Sequence, residues 1–154
     1  MLSTIKFIAD VHLGKLARKL RLLGFDTYLD SSLDDNEIIN ISLTENRIIL
    51  TRDKQLLNNN RITQGCRIGS SDPREQIREV LTRFDLHNNL KPFSRCMDCN
   101  GLIVSVSKES VNDYLPPKTR QYYEEFFRCQ VCSKIYWEGS HYDNMKKQIK
   151  NLLD

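Results

Sequence analysis

Short apolar runs alternate with helical patterns over the first half of the chain. Runs of β-branched and aliphatic residues at 5–10, 25–29 and 47–53 are typical of buried strands in a parallel sheet. A fourth strand is predicted at either 61–62 or 66–68. The βαβαβ order predicts an α/β fold, with a small parallel sheet of about four strands covered by helices. Between the first two runs, apolar residues recur at helical spacing, at Leu13, Leu16, Ala17, Leu20 and Leu23.

Capping residues mark the ends of the predicted helices. Gly24 ends the first helix, and Asp34 with Glu37 forms a capping box that opens the second. Asp72, followed by Pro73, opens the third. The positions expected to face inward are Ile38, Ile41 and, as a further candidate, Leu43 in the second helix, and Ile77, Val80, Leu81 and Phe84 in the third.

A polar linker at 85–94 precedes a segment with two Cys-x-x-Cys motifs. It predicts two domains, 1–90 with the parallel sheet and 91–154 with the cysteines. Two tight turns carrying four thiolates can close a tetrahedral zinc shell, and the alternating patterns at 101–106 and 133–137 are those of a β-rich zinc ribbon. The predicted zinc ligands are Cys96, Cys99, Cys129 and Cys132.

Zinc bound by these four cysteines would be structural, because the protein fills every position of its shell. A redox pair or disulfides are the alternatives, and they fit the doubled motif less well in a cytosolic protein. Cys66 stands alone on an apolar strand pattern and is predicted to be a small buried hydrophobe.

Aspartates end two of the predicted strands, at Asp10 and Asp53. The carboxyl ends of parallel strands meet at one edge of the sheet, where ligands gather, so the two carboxylates are expected there together. Two close carboxylates repel unless a cation lies between them, and oxygen ligands favour Mg²⁺ or Mn²⁺. The alternative is that one or both aspartates only end a strand or cap the next helix.

Composition excludes little beyond disorder and membrane insertion. The formal net charge of +3 over 154 residues permits a polyanionic partner without requiring one. No apolar stretch approaches the roughly 18 residues of a membrane span. The N-terminus lacks the segments of a secretory signal, so a cytoplasmic location is expected.

Further motifs follow one another in a fixed order, at 8–10, 13–18, 23–26, 50–53, 95–100 and 136–141. Together they resemble the Mut-seven C-terminal (Mut7-C) RNase domain family, a PIN-like fold with a C-terminal zinc ribbon, over nearly the whole chain. The resemblance implies a metal-dependent ribonuclease that leaves a 5′-phosphate and a 3′-hydroxyl.

The resemblance also implies the catalytic and Mg²⁺- or Mn²⁺-binding acids. Asp34 is the better helix cap, which leaves Asp35 as the preferred middle acid and Glu37 next. Asp72 is a candidate fourth acid, but it is left out of the predicted site because Pro73 and Glu75 indicate that it caps a helix. The implied acids are Asp10, Asp35 and Asp53, with Glu37 as the alternative to Asp35.

Three cations are candidates for holding RNA phosphates. Lys15 and Arg18 lie about one turn apart on the first predicted helix, near its positive N-terminus, and Arg52 adjoins Asp53. For Lys15, Arg18 and the neighbouring Lys19, a solvated helix face is an equal alternative for any single one.

A second hypothesis makes the chain a non-catalytic module that binds RNA or a ribonucleoprotein, with vestigial acids. Aromatic residues of the ribbon could stack bases, although most are expected to build its core. His141 could contact phosphate, support the zinc shell or be an ordinary surface histidine. A regulatory protein partner is a third option. The aromatics are Tyr122, Tyr123, Phe126, Phe127, Tyr136 and Trp137, with Arg120, Arg128 and Lys134 among them.

Overall fold

The computed structural model describes residues 5–153, which contain a four-stranded and a three-stranded sheet. The first sheet is parallel, and helices alternate with its strands, which confirms the predicted α/β fold. Its elements are β1 (Lys6–Ala9), α1 (Gly14–Leu22), β2 (Asp26–Tyr28), α2 (Asp35–Glu45), β3 (Ile48–Thr51), α3 (Lys54–Leu57), β4 (Gly65–Arg67) and α4 (Pro73–Arg83). A 3-10 turn, Val11–Leu13, precedes α1. The strand order is β2-β1-β3-β4, and β4 lies at the second of the two predicted positions.

The second sheet is antiparallel and carries the cysteines, which confirms the predicted ribbon. Its strand order is β5-β6-β7. The elements are β5 (Ile103–Val106), α5 (Lys108–Val111), a 3-10 turn (Asn112–Tyr114), α6 (Pro117–Tyr122), β6 (Phe126–Cys129), β7 (Ile135–Tyr136) and α7 (Ser140–Leu153).

The parallel sheet is buried on both faces. Successive side chains of a strand point to opposite faces, so each strand contributes to both apolar clusters. Phe7 and Leu50 pack on the face covered by α1 and α4. Ile8 and Ile49 pack on the opposite face with Ile38 of α2. This two-sided burial explains why β1 and β3 are continuous apolar runs rather than alternating ones.

The predicted helix caps are confirmed, and one predicted inward position is wrong. The Asp34 carboxylate accepts the Glu37 N–H at 2.8 Å, and the Asp72 carboxylate accepts the Arg74 N–H at 3.0 Å. Leu43 is 42% exposed, whereas its neighbour Ser42 is buried. Leu43 directly follows the buried Ser42, so it lies about 100° around the helix axis from that residue, at the edge of the buried face.

The last helix returns to the first sheet. Met145, Ile149 and Leu152 of α7 are buried in the same apolar cluster as the residues of α1 and α4. The linker is tied to the end of α1, because the Lys91 N–H donates to the Leu23 carbonyl at 2.8 Å. The division into domains 1–90 and 91–154 stays a prediction, and described side chains from both parts share one core.

Candidate functional site

Asp10 and Asp53 follow the neighbouring strands β1 and β3, and one threonine connects them. The Asp10 N–H donates to the Leu50 carbonyl at 2.9 Å. The Thr51 hydroxyl donates to Asp10 Oδ2 at 2.9 Å and accepts the Asp53 N–H at 3.0 Å. Thr51 is fully buried, so its hydroxyl needs such partners. We call Asp10 and Asp53 the acidic pair; Thr51 fixes both at one edge of the sheet.

The two carboxylates differ in what else they bind. The Asp10 side chain makes no capping hydrogen bond to the 3-10 turn that follows it. Asp53 caps α3, where its Oδ1 accepts the Gln55 N–H at 2.8 Å. The alternative prediction, that an aspartate caps the next helix, is therefore confirmed for Asp53. The cap uses only one of its two carboxylate oxygens. Within residues 5–153, Asp10 Oδ1 and Asp53 Oδ2 accept no hydrogen bond.

Asp35 and Glu37 lie in the first turn of α2, exposed to solvent. Across residues 5–153, only the cysteines bring three or more His, Cys, Asp or Glu ligand atoms to the spacing of a metal site. The structure thus connects Asp10 and Asp53 through Thr51 and leaves Asp35 and Glu37 outside that network.

The three candidate phosphate-binding cations have different surroundings. Lys15 and Arg52 are exposed. Arg18 instead donates from Nη1 to Asp98 Oδ1 at 2.8 Å, and Lys134 binds Asp98 Oδ2 at 2.8 Å. Hydrogen bonds from Lys134 and Arg18 hold the pKa of Asp98 below its usual range. Arg18 therefore links α1 to the cysteine-bearing segment.

The structure brings all four predicted cysteine ligands together, with their sulfurs within 4.8 Å of one another. Cys96 Sγ lies 3.8 Å from Cys132 Sγ, and Cys99 Sγ lies 3.3 Å from Cys129 Sγ. The sulfurs of a tetrahedral zinc site are about 3.8 Å apart, because each Zn–S bond is about 2.3 Å. This cysteine cluster could bind zinc.

Two turns of the same backbone form hold the cysteine cluster. The Cys96 carbonyl accepts the Asn100 N–H at 2.9 Å, and the Cys129 carbonyl accepts the Ser133 N–H at 3.1 Å. Asn100 and Ser133 both have left-handed backbones, with φ of 72° and 68°. We call residues 96–101 the first cysteine turn and 129–134 the second. Each turn curls its chain back so that both sulfurs face the cluster.

Hydrogen-bond donors surround the sulfurs. The Tyr136 hydroxyl lies 2.8 Å from Cys96 Sγ, and backbone N–H groups donate to the sulfurs of Cys99 and Cys129 at 3.4 Å each. Gly101 is required for space, since a Cβ there would lie 2.6 Å from Cys129 Sγ. These donors stabilise thiolates, the form that binds metal.

Two thiols of the cluster, those of Cys99 and Cys129, differ in pKa. Burial and the neighbouring sulfurs raise the pKa of Cys99 to about 12. Burial also opposes ionisation of Cys129, but the backbone N–H groups of Cys132 and Val131 outweigh it and lower the pKa of Cys129 to about 7. Four thiolates this close therefore need a cation among them.

Asp26 joins the parallel sheet to the first cysteine turn. Its Oδ1 accepts from Arg47 Nη1 at 2.8 Å and from Asn100 Nδ2 at 2.7 Å. Asn100 Oδ1 in turn accepts the Thr27 N–H at 3.0 Å. Burial of Asp26 opposes its ionisation, but the hydrogen bonds from Arg47 and Asn100 outweigh burial and lower its pKa. β2 and the first cysteine turn are thus parts of one polar network.

Arg21 makes a second connection between the two parts. From α1, its guanidinium donates to the carbonyls of Thr27, Met97 and Asp98 at 2.9, 2.9 and 3.2 Å. Arg21 is 4% exposed, so its charge lies inside the molecule, near the sulfurs. A buried cation beside the cysteine cluster favours the net negative charge of four thiolates.

Four residues support these sites in ways that the sequence did not predict. Thr51 carried a weak signal, because it is a hydroxyl residue in an apolar strand run. Asn100 carried another, because asparagine follows the cysteine pair where a left-handed backbone is common. Arg21 and Tyr136 act over long sequence separations, which no local pattern marks.

The fold and the cysteine cluster define a class: a small α/β domain with a parallel sheet, followed by a zinc-ribbon-type antiparallel sheet. The Mut7-C RNAse domain matches residues 5–149, and the chain belongs to that family. Membership implies a ribonuclease and an RNA substrate. Searches of curated proteins and of solved structures found no significant match. In residues 5–153, no helix is long and apolar enough to cross a membrane.

Proposed function

We propose that the protein is a metal-dependent ribonuclease whose active site is the sheet edge that carries the acidic pair. The observation that carries this proposal is the Thr51 hydroxyl, which contacts both Asp10 and Asp53. Family membership supports RNA as the substrate. One buried hydroxyl that binds the carboxylate of Asp10 and the backbone of Asp53 suits a catalytic edge better than two unrelated strand ends.

The acidic pair has carboxylate oxygens that can act as ligands of a hard cation. Asp10 Oδ1 and Asp53 Oδ2 are carboxylate oxygens with no described hydrogen-bond donor. Mg²⁺ commonly binds through one or two carboxylates and takes its other ligands from water and substrate phosphate. Asp35 is the proposed third acid, with Glu37 next, on the basis of the family resemblance; both lie in the first turn of α2. Mg²⁺ or Mn²⁺ held there would activate water and stabilise the charge that develops during hydrolysis.

The chain's own cations would hold the RNA backbone. Lys15 and Arg52 are exposed; Lys15 follows Asp10 on the next helix, and Arg52 immediately precedes Asp53. Arg18 is bound to Asp98 on one side, but half of its side chain remains exposed. These groups would place a phosphodiester against the acidic pair, and positioning alone contributes several orders of magnitude to such reactions.

We propose that the cysteine cluster holds a structural Zn²⁺. Cys96, Cys99, Cys129 and Cys132 would fill its shell, which leaves no position for water or substrate. We expect a cytoplasmic location, where these cysteines stay reduced.

Cleavage assays test the proposal. Zinc-loaded protein is incubated with end-labelled single-stranded and hairpin RNA, with and without Mg²⁺ or Mn²⁺. Metal-dependent products should disappear in the double variant Asp10→Asn/Asp53→Asn. Asp34→Asn is the matched control, because it neutralises a carboxylate outside the proposed site while asparagine still caps α2. Equal cleavage by the double variant and the control would rule out this active site.

A non-catalytic module that binds RNA or a ribonucleoprotein is the second candidate. Two observations favour it: Asp53 is engaged as a helix cap, and among residues 5–153 no third carboxylate joins the acidic pair. Salt-sensitive RNA binding without cleavage, equal in the wild type and the double variant, would support it. A regulatory protein partner would show itself as cleavage that begins only when that partner is added.

A further inference from the structure

An aromatic cavity lies where the ribbon meets the start of α7, away from the acidic pair. Its volume is about 460 Å³, within the range of cavities that bind small organic groups. Its walls include Phe93, Phe127, Tyr136, Trp137 and Tyr142. All five residues are partly exposed, although Trp137 also packs against the ribbon core. Faces of this kind stack on planar heterocycles.

The rim of the cavity is cationic. Its cations are Arg95 and Lys134, which also contact the carboxylates of Asp26 and Asp98 outside the lining. His141 lines the same rim, and Glu138 is the one carboxylate among the lining residues. The first turn of α7 also lines the cavity, and its N–H groups have no partners within the helix. The positive end of this 14-residue helix adds to the attraction for an anion. Flat apolar walls with a cationic rim suit a base joined to a phosphate.

Helix α1 leads from the segment that follows Asp10 to the cavity. Lys15 lies near the start of α1 and Leu22, at its end, lines the cavity, which is a rise of about 10 Å along the helix. Arg18 lies between them, and Asp98 bridges it to Lys134 on the rim. The polyanionic backbone of one strand could follow this path.

We propose that the cavity binds an unpaired base of single-stranded RNA, while the phosphates of the same strand follow Lys134, Arg18 and Lys15 to the acidic pair. The inference rests on the proposed function, since it names single-stranded RNA as the form of its substrate. A base in a duplex is stacked and paired, so it cannot enter such a cavity. Hairpins would be held by their loops or single-stranded flanks.

Trp137 gives a direct signal, because it is the only tryptophan of the chain and lines the cavity. Zinc-loaded Asp10→Asn/Asp53→Asn protein is titrated with a short single-stranded RNA while tryptophan fluorescence is recorded. The comparison ligand is an abasic ribose-phosphate chain of the same length. We expect saturable quenching by the RNA and at least about tenfold weaker binding of the abasic chain. Equal binding of the two would overturn the inference.

Substitution of two exposed rim residues, Lys134 and His141, supplies a second measurement of RNA binding. His141→Ala/Lys134→Gln should weaken RNA binding about tenfold and reduce its salt dependence, because phosphate contacts are lost. Lys118→Gln, on an exposed lysine of α6 outside the cavity lining, is the matched control and should bind as before. Equal affinities of the rim variant and the control would also overturn the inference.

The two proposals fail in distinguishable ways. Metal-dependent cleavage that is lost in Asp10→Asn/Asp53→Asn, without any response of Trp137 to RNA, would overturn the cavity alone. Base-dependent quenching of Trp137 without cleavage under any metal condition would support the cavity and overturn the nuclease.

Discussion

At the scale of residues, a single buried hydroxyl organises the acidic edge. Thr51 contacts the carboxylate of Asp10 and the backbone of Asp53, two residues that follow different strands. An unpaired hydroxyl would cost free energy in this fully buried position. The same contacts that satisfy Thr51 therefore also orient Asp10.

Replacing Thr51 tests whether this orientation matters for catalysis. Thr51→Ala should lower kcat by about tenfold or more, while Thr51→Ser, which keeps the hydroxyl, should stay within about threefold of the wild type. Thr51→Ala should also lower the free energy of unfolding by about 1–2 kcal/mol. The measurements are single-turnover RNA cleavage and urea unfolding. Equal rates for the two variants would remove Thr51 from the active site.

Gly101 allows a second test at this scale. Gly101→Ala would push a methyl group against Cys129 Sγ, so zinc affinity should fall at least about tenfold in chelator competition. Gly69→Ala is the matched control, because its nearest neighbour, an oxygen of Glu79, would lie at an ordinary 3.6 Å. Unchanged zinc affinity in Gly101→Ala would contradict the sulfur geometry described here.

At the scale of elements, local signals decided what the sequence could predict. Asp34 and Asp72 cap their helices as predicted, because a cap is formed within a few residues. Leu43 was misplaced, since the polar Ser42 takes the buried position on α2 and donates its hydroxyl to the Arg47 carbonyl at 2.6 Å. The role of Asp26 could not be predicted, because its partner Asn100 is distant in sequence and meets it only after folding.

Asp26→Asn tests the network that joins β2 to the first cysteine turn. The substitution should lower the free energy of unfolding by about 2 kcal/mol at pH 7, because Arg47 loses a buried charged partner. Since folding lowers the pKa of Asp26, its contribution is present above the unfolded pKa of about 3.9 and is lost as pH falls through the folded value. The difference between variant and wild type should therefore shrink below about pH 4.

The measurement is urea unfolding across the acidic range, with the exposed Asp113→Asn as control. A constant difference between Asp26→Asn and the wild type at every pH would contradict the assigned ionisation.

At the scale of the whole molecule, the ribbon part and the parallel sheet support each other. Met145, Ile149 and Leu152 of α7 complete the core beside α1 and α4, while Arg21 binds the first cysteine turn. The apolar spacing in α7 was a detectable helical signal within the segment expected to be β-rich. Its docking surface was not detectable, because nothing local in the sequence shows which faces of α1 and α4 remain uncovered.

Loss of one cysteine ligand should therefore destabilise both parts. Cys96→Ser should release zinc and lower the free energy of unfolding by more than about 3 kcal/mol, since loss of a structural metal is among the largest single-residue effects. Hydrogen exchange should rise in β1 and β2 as well as in the ribbon. Cys66→Ala, on a buried cysteine outside the cluster, should keep zinc. Exchange that rises only in the ribbon would show that the two parts fold independently.

The most direct test of the central claim is the single-turnover cleavage rate of Asp10→Asn beside Asp34→Asn over a range of Mg²⁺ concentrations. The account predicts that Asp10→Asn loses at least about a hundredfold in rate at saturating Mg²⁺, with its zinc content and unfolding midpoint unchanged. Asp34→Asn should keep the wild-type rate and Mg²⁺ dependence. Cleavage by Asp10→Asn at the rate of Asp34→Asn would contradict the assignment of catalysis to the acidic pair.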